Sequence, residues 1–145
     1  MPPVRAGLLR LVLDTNVLVS SLSSRSASHW LVQALQKGEF ELVTTTEILL
    51  EYEEVLARKY SSAVADAFLA ALQELPKTVP TTVFYRWQLL ADPDDNKFVE
   101  AALAANADFM VTEDAHFRAL SRITFPKVSV LTLPELRATL ADLPL

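Results

Sequence analysis

The chain has 145 residues, 51% apolar and 21% charged, a composition that suits one folded domain with one hydrophobic core over residues 1–145. It has no cysteine, which excludes disulfides and thiolate metal sites and accords with a cytoplasmic location, and no apolar run approaches the roughly 18 residues of a membrane span. The net charge of −5 excludes a whole-protein basic field for nucleic acid, so such a ligand would have to be met by bound cations and a local basic rim.

Met1-Pro2-Pro3-Val4-Arg5 opens the chain without a signal-peptide pattern, because the apolar run after it ends in Asp14 with no cleavage-type ending. Leu9 to Leu13 reads as a buried strand, followed by a helical segment from Asn16 to about Leu22. Ser26 or Ser28 caps a helix running to about Lys37, which Gly38 stops. Glu41-Leu42-Val43 reads as a short strand. Thr45 or Thr46 caps a helix from Glu47 to Lys59, and Ser61 or Ser62 caps another that reaches Leu75 before Pro76. Thr78 to Phe84 has some strand character. Asp94 or Asp95 caps a helix to Ala105, with Asp94 the better placed. Phe109 to Val111 is a strand, Ala115 to Leu120 a short helix, Val128 to Leu131 a strand, and Pro134 begins a last helix. Short apolar strands alternating with helices predict an α/β domain with a mainly parallel sheet, whose ligands bind beyond the carboxyl ends of the strands. The apolar surplus points to surface covered by a partner or by further copies in a homodimer or higher oligomer.

Asp14 and Asp114 both lie just past the carboxyl end of a strand. Each also has a plain structural reading: Asp14 as a turn residue, Asp114 as an N-cap. An acid beside the apolar first strand is costly unless a cation or a donor satisfies it. Thr15 and Asn16 offer neutral polar groups that could orient Asp14, and Thr112 could support Asp114 or its neighbour Glu113. In Asp92-Pro93-Asp94-Asp95-Asn96, Asp95 shares the inward helical face with Phe98, Val99 and Ala102, while Asp92 flanks or belongs to the loop. On the Glu47 to Lys59 helix, periodicity sets aside Glu47 and Glu54 more readily than it separates Glu51 from Glu53. Taken together, Asp14, Glu51, Asp95 and Asp114 would form an oxygen-rich, histidine-poor cluster suited to Mg²⁺ or Mn²⁺ rather than zinc.

Four blocks carry a resemblance: Leu-Val-Leu-Asp14-Thr15-Asn16-Val-Leu-Val, Thr-Glu-Ile-Leu-Leu-Glu51-Tyr-Glu-Glu-Val-Leu, Asp92-Pro-Asp-Asp95-Asn-Lys-Phe-Val-Glu-Ala-Ala and Phe-Met-Val-Thr112-Glu-Asp114. In order and spacing they resemble the PIN domain, and within it the VapC-like toxins of toxin–antitoxin systems, from about Leu11 to Leu133. The resemblance implies a Rossmann-like α/β/α sandwich around a parallel sheet and Mg²⁺- or Mn²⁺-dependent ribonuclease activity. It implies that the metal-site acids are Asp14, Glu51, Asp95 and Asp114, with Thr15, Asn16 and Thr112 as polar supports. It also implies that the ribonuclease activity is single-strand-directed, and a cognate antitoxin protein as partner. Arg25, Lys97, Arg118 and Arg122 are candidate rim cations for RNA. His29 and His116 read as ordinary residues, since a metal-assisted hydrolysis needs no histidine base.

Two other readings stand beside this one. A haloacid-dehalogenase-type phosphatase would have a second acid where this chain has Asn16, and a receiver domain would have adjacent acids after its first strand and a later lysine. The other is a catalytically silent PIN-fold module that only binds a partner.

Overall fold

Leu11, Val12 and Leu13 have no exposed surface in the computed structural model, which describes residues 7–143. The opening residues Met1 to Arg5, read above as lacking a signal peptide, lie outside the described residues. The three apolar side chains belong to β1 (Arg10–Leu13), which lies at the centre of a sheet. Such a strand is covered on both faces, so its sequence is apolar without alternation. On one side β1 pairs with β2 (Glu41–Thr44), Arg10 opposite Glu41, and on the other with β4 (Phe109–Val111), Leu11 opposite Phe109. Outside these lie β3 (Thr78–Pro80) and β5 (Val130–Leu131), giving five strands in the order β3-β2-β1-β4-β5. Every pair among the described residues is parallel. The chain moves outward from β1 through β2 to β3, then returns to β4 on the opposite side of β1. That reversal opens a crevice beyond the carboxyl ends of β1 and β4.

Helices flank the sheet: α1 (Thr15–Ser20), α2 (Trp30–Gln36), α3 (Thr46–Lys59), α4 (Ser62–Glu74), α5 (Pro93–Ala104) and α6 (Leu133–Ala141), with a 3-10 helix over Ala115–Arg122. Thr45 caps α3 by accepting from Ile48 N, and Ser61 caps α4 by accepting from Val64 N, as their sequence positions predict. Glu47 in the first turn of α3 and Arg58 and Lys59 in its last turn suit the helix dipole. Gly38, at φ +71, ends α2 in a conformation that only glycine adopts cheaply.

The differences from the sequence expectations have local causes. Pro93 occupies the first position of α5, so the cap falls to Asp92 and not to Asp94 or Asp95. α1 begins at Thr15 rather than Asn16, because the Asp14 carboxylate caps it and accepts from Asn16 N at 3.1 Å. His29, without a side-chain cap bond, precedes α2, whereas Ser26 and Ser28 bond to each other and Ser28 accepts from the Ser21 hydroxyl at the end of α1. α6 starts at Leu133 behind Thr132, whose hydroxyl forms a reciprocal capping box with Glu135. Only Thr78–Pro80 of the Thr78 to Phe84 stretch is strand, and only Val130–Leu131 of Val128 to Leu131.

Two buried polar side chains fix the elements that border the crevice. Tyr52, fully buried in α3, donates its phenolic hydrogen to Leu13 O at 2.6 Å and so ties α3 to the end of β1. Tyr52→Phe leaves that carbonyl without this donor, and the expected cost is about 1–2 kcal/mol in urea unfolding. Glu100, on α5 with its side chain 3% exposed, holds the irregular stretch 81–91. It accepts from Arg86 Nη1 at 2.9 Å and from Gln88 N at 3.2 Å, while Arg86 Nη2 also donates to Glu47. Asn96 brackets Leu90, accepting from its N–H and donating to its carbonyl, both at 2.9 Å. Glu100→Ala is expected to cost about 1–3 kcal/mol and to make stretch 81–91 the first point of limited proteolysis.

Candidate active site at the carboxyl edge of the sheet

Asp14 follows β1 directly and is 8% exposed. Its backbone N–H still belongs to the sheet, donating to Val111 O at 3.0 Å. Its carboxylate is fully engaged: Oδ1 takes the Asn16 N–H that caps α1, and Oδ2 takes the Thr112 hydroxyl at 2.6 Å. Thr112 therefore acts as a bridge, because its Oγ1 also accepts from Asp114 N at 3.0 Å. Asp114 in turn caps the 3-10 helix through His116 N at 2.9 Å, and His116 Nδ1 stands 3.4 Å from the same carboxylate oxygen. A single hydroxyl thus links the acid after β1 to the acid after β4.

Glu51 is half-buried on α3 and faces the same cleft. One of its oxygens accepts from the Thr15 hydroxyl, and the other lies 2.7 Å from Lys97 Nζ on α5. Asp95 is one residue past the first-turn Asp94 and is partly exposed. Asp14, Glu51, Asp95 and Asp114 line one cleft of about 330 Å³ with Thr15, Asn16 and Lys97, and with Asp94, Glu54 and Arg58 at its margin.

Asp14 and Asp95 are shifted by burial and by neighbouring charges. Burial pushes the Asp14 carboxyl above its ordinary value, the bonds from Thr112 and Asn16 oppose this, and the charges of Asp114 and Glu51 add to it. Asp95 is also raised, first by burial, then by the charges of Asp92 and Asp114. Burial and the charges of Asp14 and Glu51 likewise raise the Tyr52 phenol. The protein therefore spends stability to keep these carboxylates together, and an oxygen-only donor set of this kind fits a hard divalent cation by its chemistry. Among the described residues no three His, Asp or Glu side chains converge closely enough to hold one ion. Thr15 and Lys97 hold Glu51, and Thr112 holds Asp14, so convergence on an ion requires these side chains to turn.

The remaining sequence candidates are dispersed. Lys97 is paired with Glu51 inside the cleft rather than free on a rim. Arg118 lines an adjoining cavity of about 450 Å³ that shares Thr112, Asp114 and Phe117 with the acid site or its wall. Arg122 is exposed at the end of the 3-10 helix, and Arg25 is exposed in the loop between α1 and α2. Asp92 caps α5, Glu53 is exposed on α3, and Glu113 accepts from Leu133 N at 2.6 Å. Glu54, which periodicity sets aside, does line the cleft, with Arg58 3.7 Å away. Its position three residues after Glu51 was the signal for a shared edge.

Residues 10–116, well over half of the chain, match the family model of the PIN domain, and the chain belongs to that family. Its fold is similar to VapBC2 from Rickettsia felis bound to a DNA fragment from their promoter, with 17% identity, a TM-score of 0.61, and 86% of this chain and 98% of that one covered. It is similar also to DNA-bound VapBC from Salmonella typhimurium, with 14% identity, a TM-score of 0.58, and coverage of 87% and 99%. At these identities the likeness is one of fold. No curated protein matches the chain in sequence. Among the described residues no helix is long and apolar enough to cross a membrane.

Proposed function

We propose that the chain is a divalent-metal-dependent ribonuclease that hydrolyses RNA phosphodiesters, acting as the toxin of a toxin–antitoxin pair. The observation that carries this reading is one cleft, at the carboxyl edge of a parallel sheet in a PIN-family chain, lined by acids from four separate parts of the sequence. Asp14, Glu51, Asp95 and Asp114 are the side chains that would hold Mg²⁺ or Mn²⁺. Such an ion supplies the charge that makes water nucleophilic near neutral pH and offsets repulsion between carboxylates and phosphate. Thr112 fixes the rotamer of Asp14, Asn16 N fixes its second oxygen, and Thr15 orients Glu51. Lys97 occupies one Glu51 oxygen, which a bound cation would have to take over. The antitoxin partner is supported by the fold shared with the toxin–antitoxin complexes above.

The test is cleavage of labelled single-stranded and structured RNA with Mg²⁺, with Mn²⁺ and with EDTA, beside Asp14→Asn and Asp95→Asn. Cleavage that requires metal and disappears in both folded variants is the expected result. The pairing of Glu51 with Lys97 favours a second reading, in which the fold is kept as a binding module without catalysis. Folded protein, free of bound inhibitor, that cuts no RNA with any metal would make that reading the correct one.

A further inference from the structure

Phe84, Tyr85 and Phe125 expose 92%, 66% and 81% of their surface, which is unusual for rings of this size in a chain with a well-filled core. Two of them, Tyr85 and Phe125, join Trp87 in one cluster. Tyr85 and Trp87 meet edge to face at 4.8 Å between ring centroids, and Trp87 meets Phe125 edge to face at 6.1 Å. Two distant segments therefore build one aromatic surface: stretch 81–91, and the loop after the 3-10 helix.

The sequence around these rings is poor in acids, although Glu47 and Glu100 reach Arg86 between Tyr85 and Trp87. Between Glu74 and Asp92 the sequence has no acid, and between Asp114 and Glu135 again none. Arg86 is taken up by Glu47 and Glu100, but Arg122 and Lys127, on either side of Phe125, are exposed and make no ion pair among the described residues. Both segments are rooted in the acid cleft. Stretch 81–91 runs straight into Asp92 and the first turn of α5, which holds Asp95, and the 3-10 helix starts at the Asp114 cap and ends at Arg122. Flat exposed rings near unpaired cations, with Lys127 lining the cavity that shares Asp114 and Phe117 with the acid cleft, complement an unpaired nucleic-acid strand, whose bases stack while its phosphates pair.

We propose that Tyr85, Trp87 and Phe125, with Arg122 and Lys127, form a platform that holds single-stranded RNA beside the acid cleft, the bases stacking on the rings. The occupant is RNA because Arg122 and Lys127, on either side of Phe125, are exposed without an ion pair among the described residues; a protein partner needs apolar area but no such cations. The proposal rests on the ribonuclease reading for its biological meaning, not for its test. The platform also gives an acidic protein the local basic field that its net charge of −5 withholds.

Binding is measured first in the Asp14→Asn background, so that cleavage plays no part. The probe is a labelled oligouridine of about 12 nucleotides, within the footprint of single-strand binders. Tyr85→Ala with Phe125→Ala, both at exposed positions that leave the core intact, is expected to weaken binding by about tenfold or more. Arg122→Glu with Lys127→Glu is expected to weaken it further at low salt and to flatten the salt dependence by about one to two phosphate contacts. The chain has two tryptophans, so in a Trp30→Phe background the oligouridine should quench the fluorescence of Trp87 alone. In the active protein, the ring variants should raise KM for a long single strand and leave cleavage of a dinucleotide unchanged. Oligouridine affinity unchanged in both double variants overturns the proposal. So does a loss of self-association in sedimentation with RNA binding intact, which assigns the rings to a protein interface. Loss of the ribonuclease reading would appear separately, as a parent protein that cuts nothing while the binding results stand.

Discussion

Asp14→Asn is expected to lower metal-dependent RNA cleavage by about a hundredfold or more, the scale set by losing several kcal/mol of charge stabilisation at the reacting phosphate, and to raise the melting temperature of the metal-free protein. The two effects have one origin. The exchange keeps the shape of the side chain: an amide oxygen can still accept from Asn16 N, and the amide NH₂ can meet the Thr112 hydroxyl in place of the bond that now runs to Oδ2. What it removes is a buried negative charge that burial, Asp114 and Glu51 all disfavour. A carboxyl raised in the folded state binds its proton more tightly there than in the unfolded chain. Its penalty is therefore absent below the unfolded value, about 3.9, grows as pH rises through the raised folded value, and is complete near neutrality. The stability gain of Asp14→Asn should be largest at neutral pH and vanish as the pH falls to that acidic range. Scanning calorimetry of both proteins across pH checks it. Mg²⁺ or Mn²⁺ should raise the melting temperature of the parent and do little for the variant, by the mass action of a ligand bound only to the folded state. A variant that melts lower than its parent at neutral pH would mean that the Thr112 bond outweighs the repulsion.

Phe117→Ala is expected to destabilise the fold by about 3–5 kcal/mol, a large share of the 5–15 kcal/mol typical of a small domain, and to weaken the site at the same time. Phe117 is 2% exposed and anchors the 3-10 helix whose cap is Asp114. Its ring lies in the wall between the acid cleft and the adjoining cavity, so removing it joins the two spaces. The neighbouring 3-10 turns offer little resistance, because bonds of this type have poorer geometry than those of an α-helix. Urea unfolding measures the stability. Phe117→Leu, which refills most of the volume, should recover much of the loss and with it the metal-dependent rise in melting temperature.

How far the sequence speaks for this structure differs between residues. β1, β2 and β4 were legible because a strand buried on both faces must be apolar throughout, and Leu11, Leu42 and Met110 are fully buried. Thr45 and Ser61 were legible as caps because a hydroxyl before an apolar-periodic run has a local purpose. Asp92 was equally legible through Pro93, whose ring favours the first helical position, but three adjacent acids obscured it. The placement of Asp14 and Asp114 beside each other follows from strands that end in acids, whereas their link through Thr112 required the sheet register. The partnership of Lys97 with Glu51, 46 residues apart, had no local signal, since any exposed-looking lysine reads as solvated. Nor did stretch 81–91 announce itself. It has strand-like composition, and only the buried carboxylate of Glu100 and the side chain of Asn96 hold it in an irregular path. Tertiary context overrides such local preference routinely.

The Thr112–Asp14 bond joins residues 98 positions apart, and Asp14 N reaches across to Val111 O. During synthesis the ribosome exposes β1, α3 and even α5 before the strand that completes the crevice has left the exit tunnel. A nascent chain lacking β4 has no wall opposite Asp14 and no anchor for Asp114. The assembled cleft thus exists only once β4 has emerged, and fragments cut short before it by stalled translation or early proteolysis would be born without it.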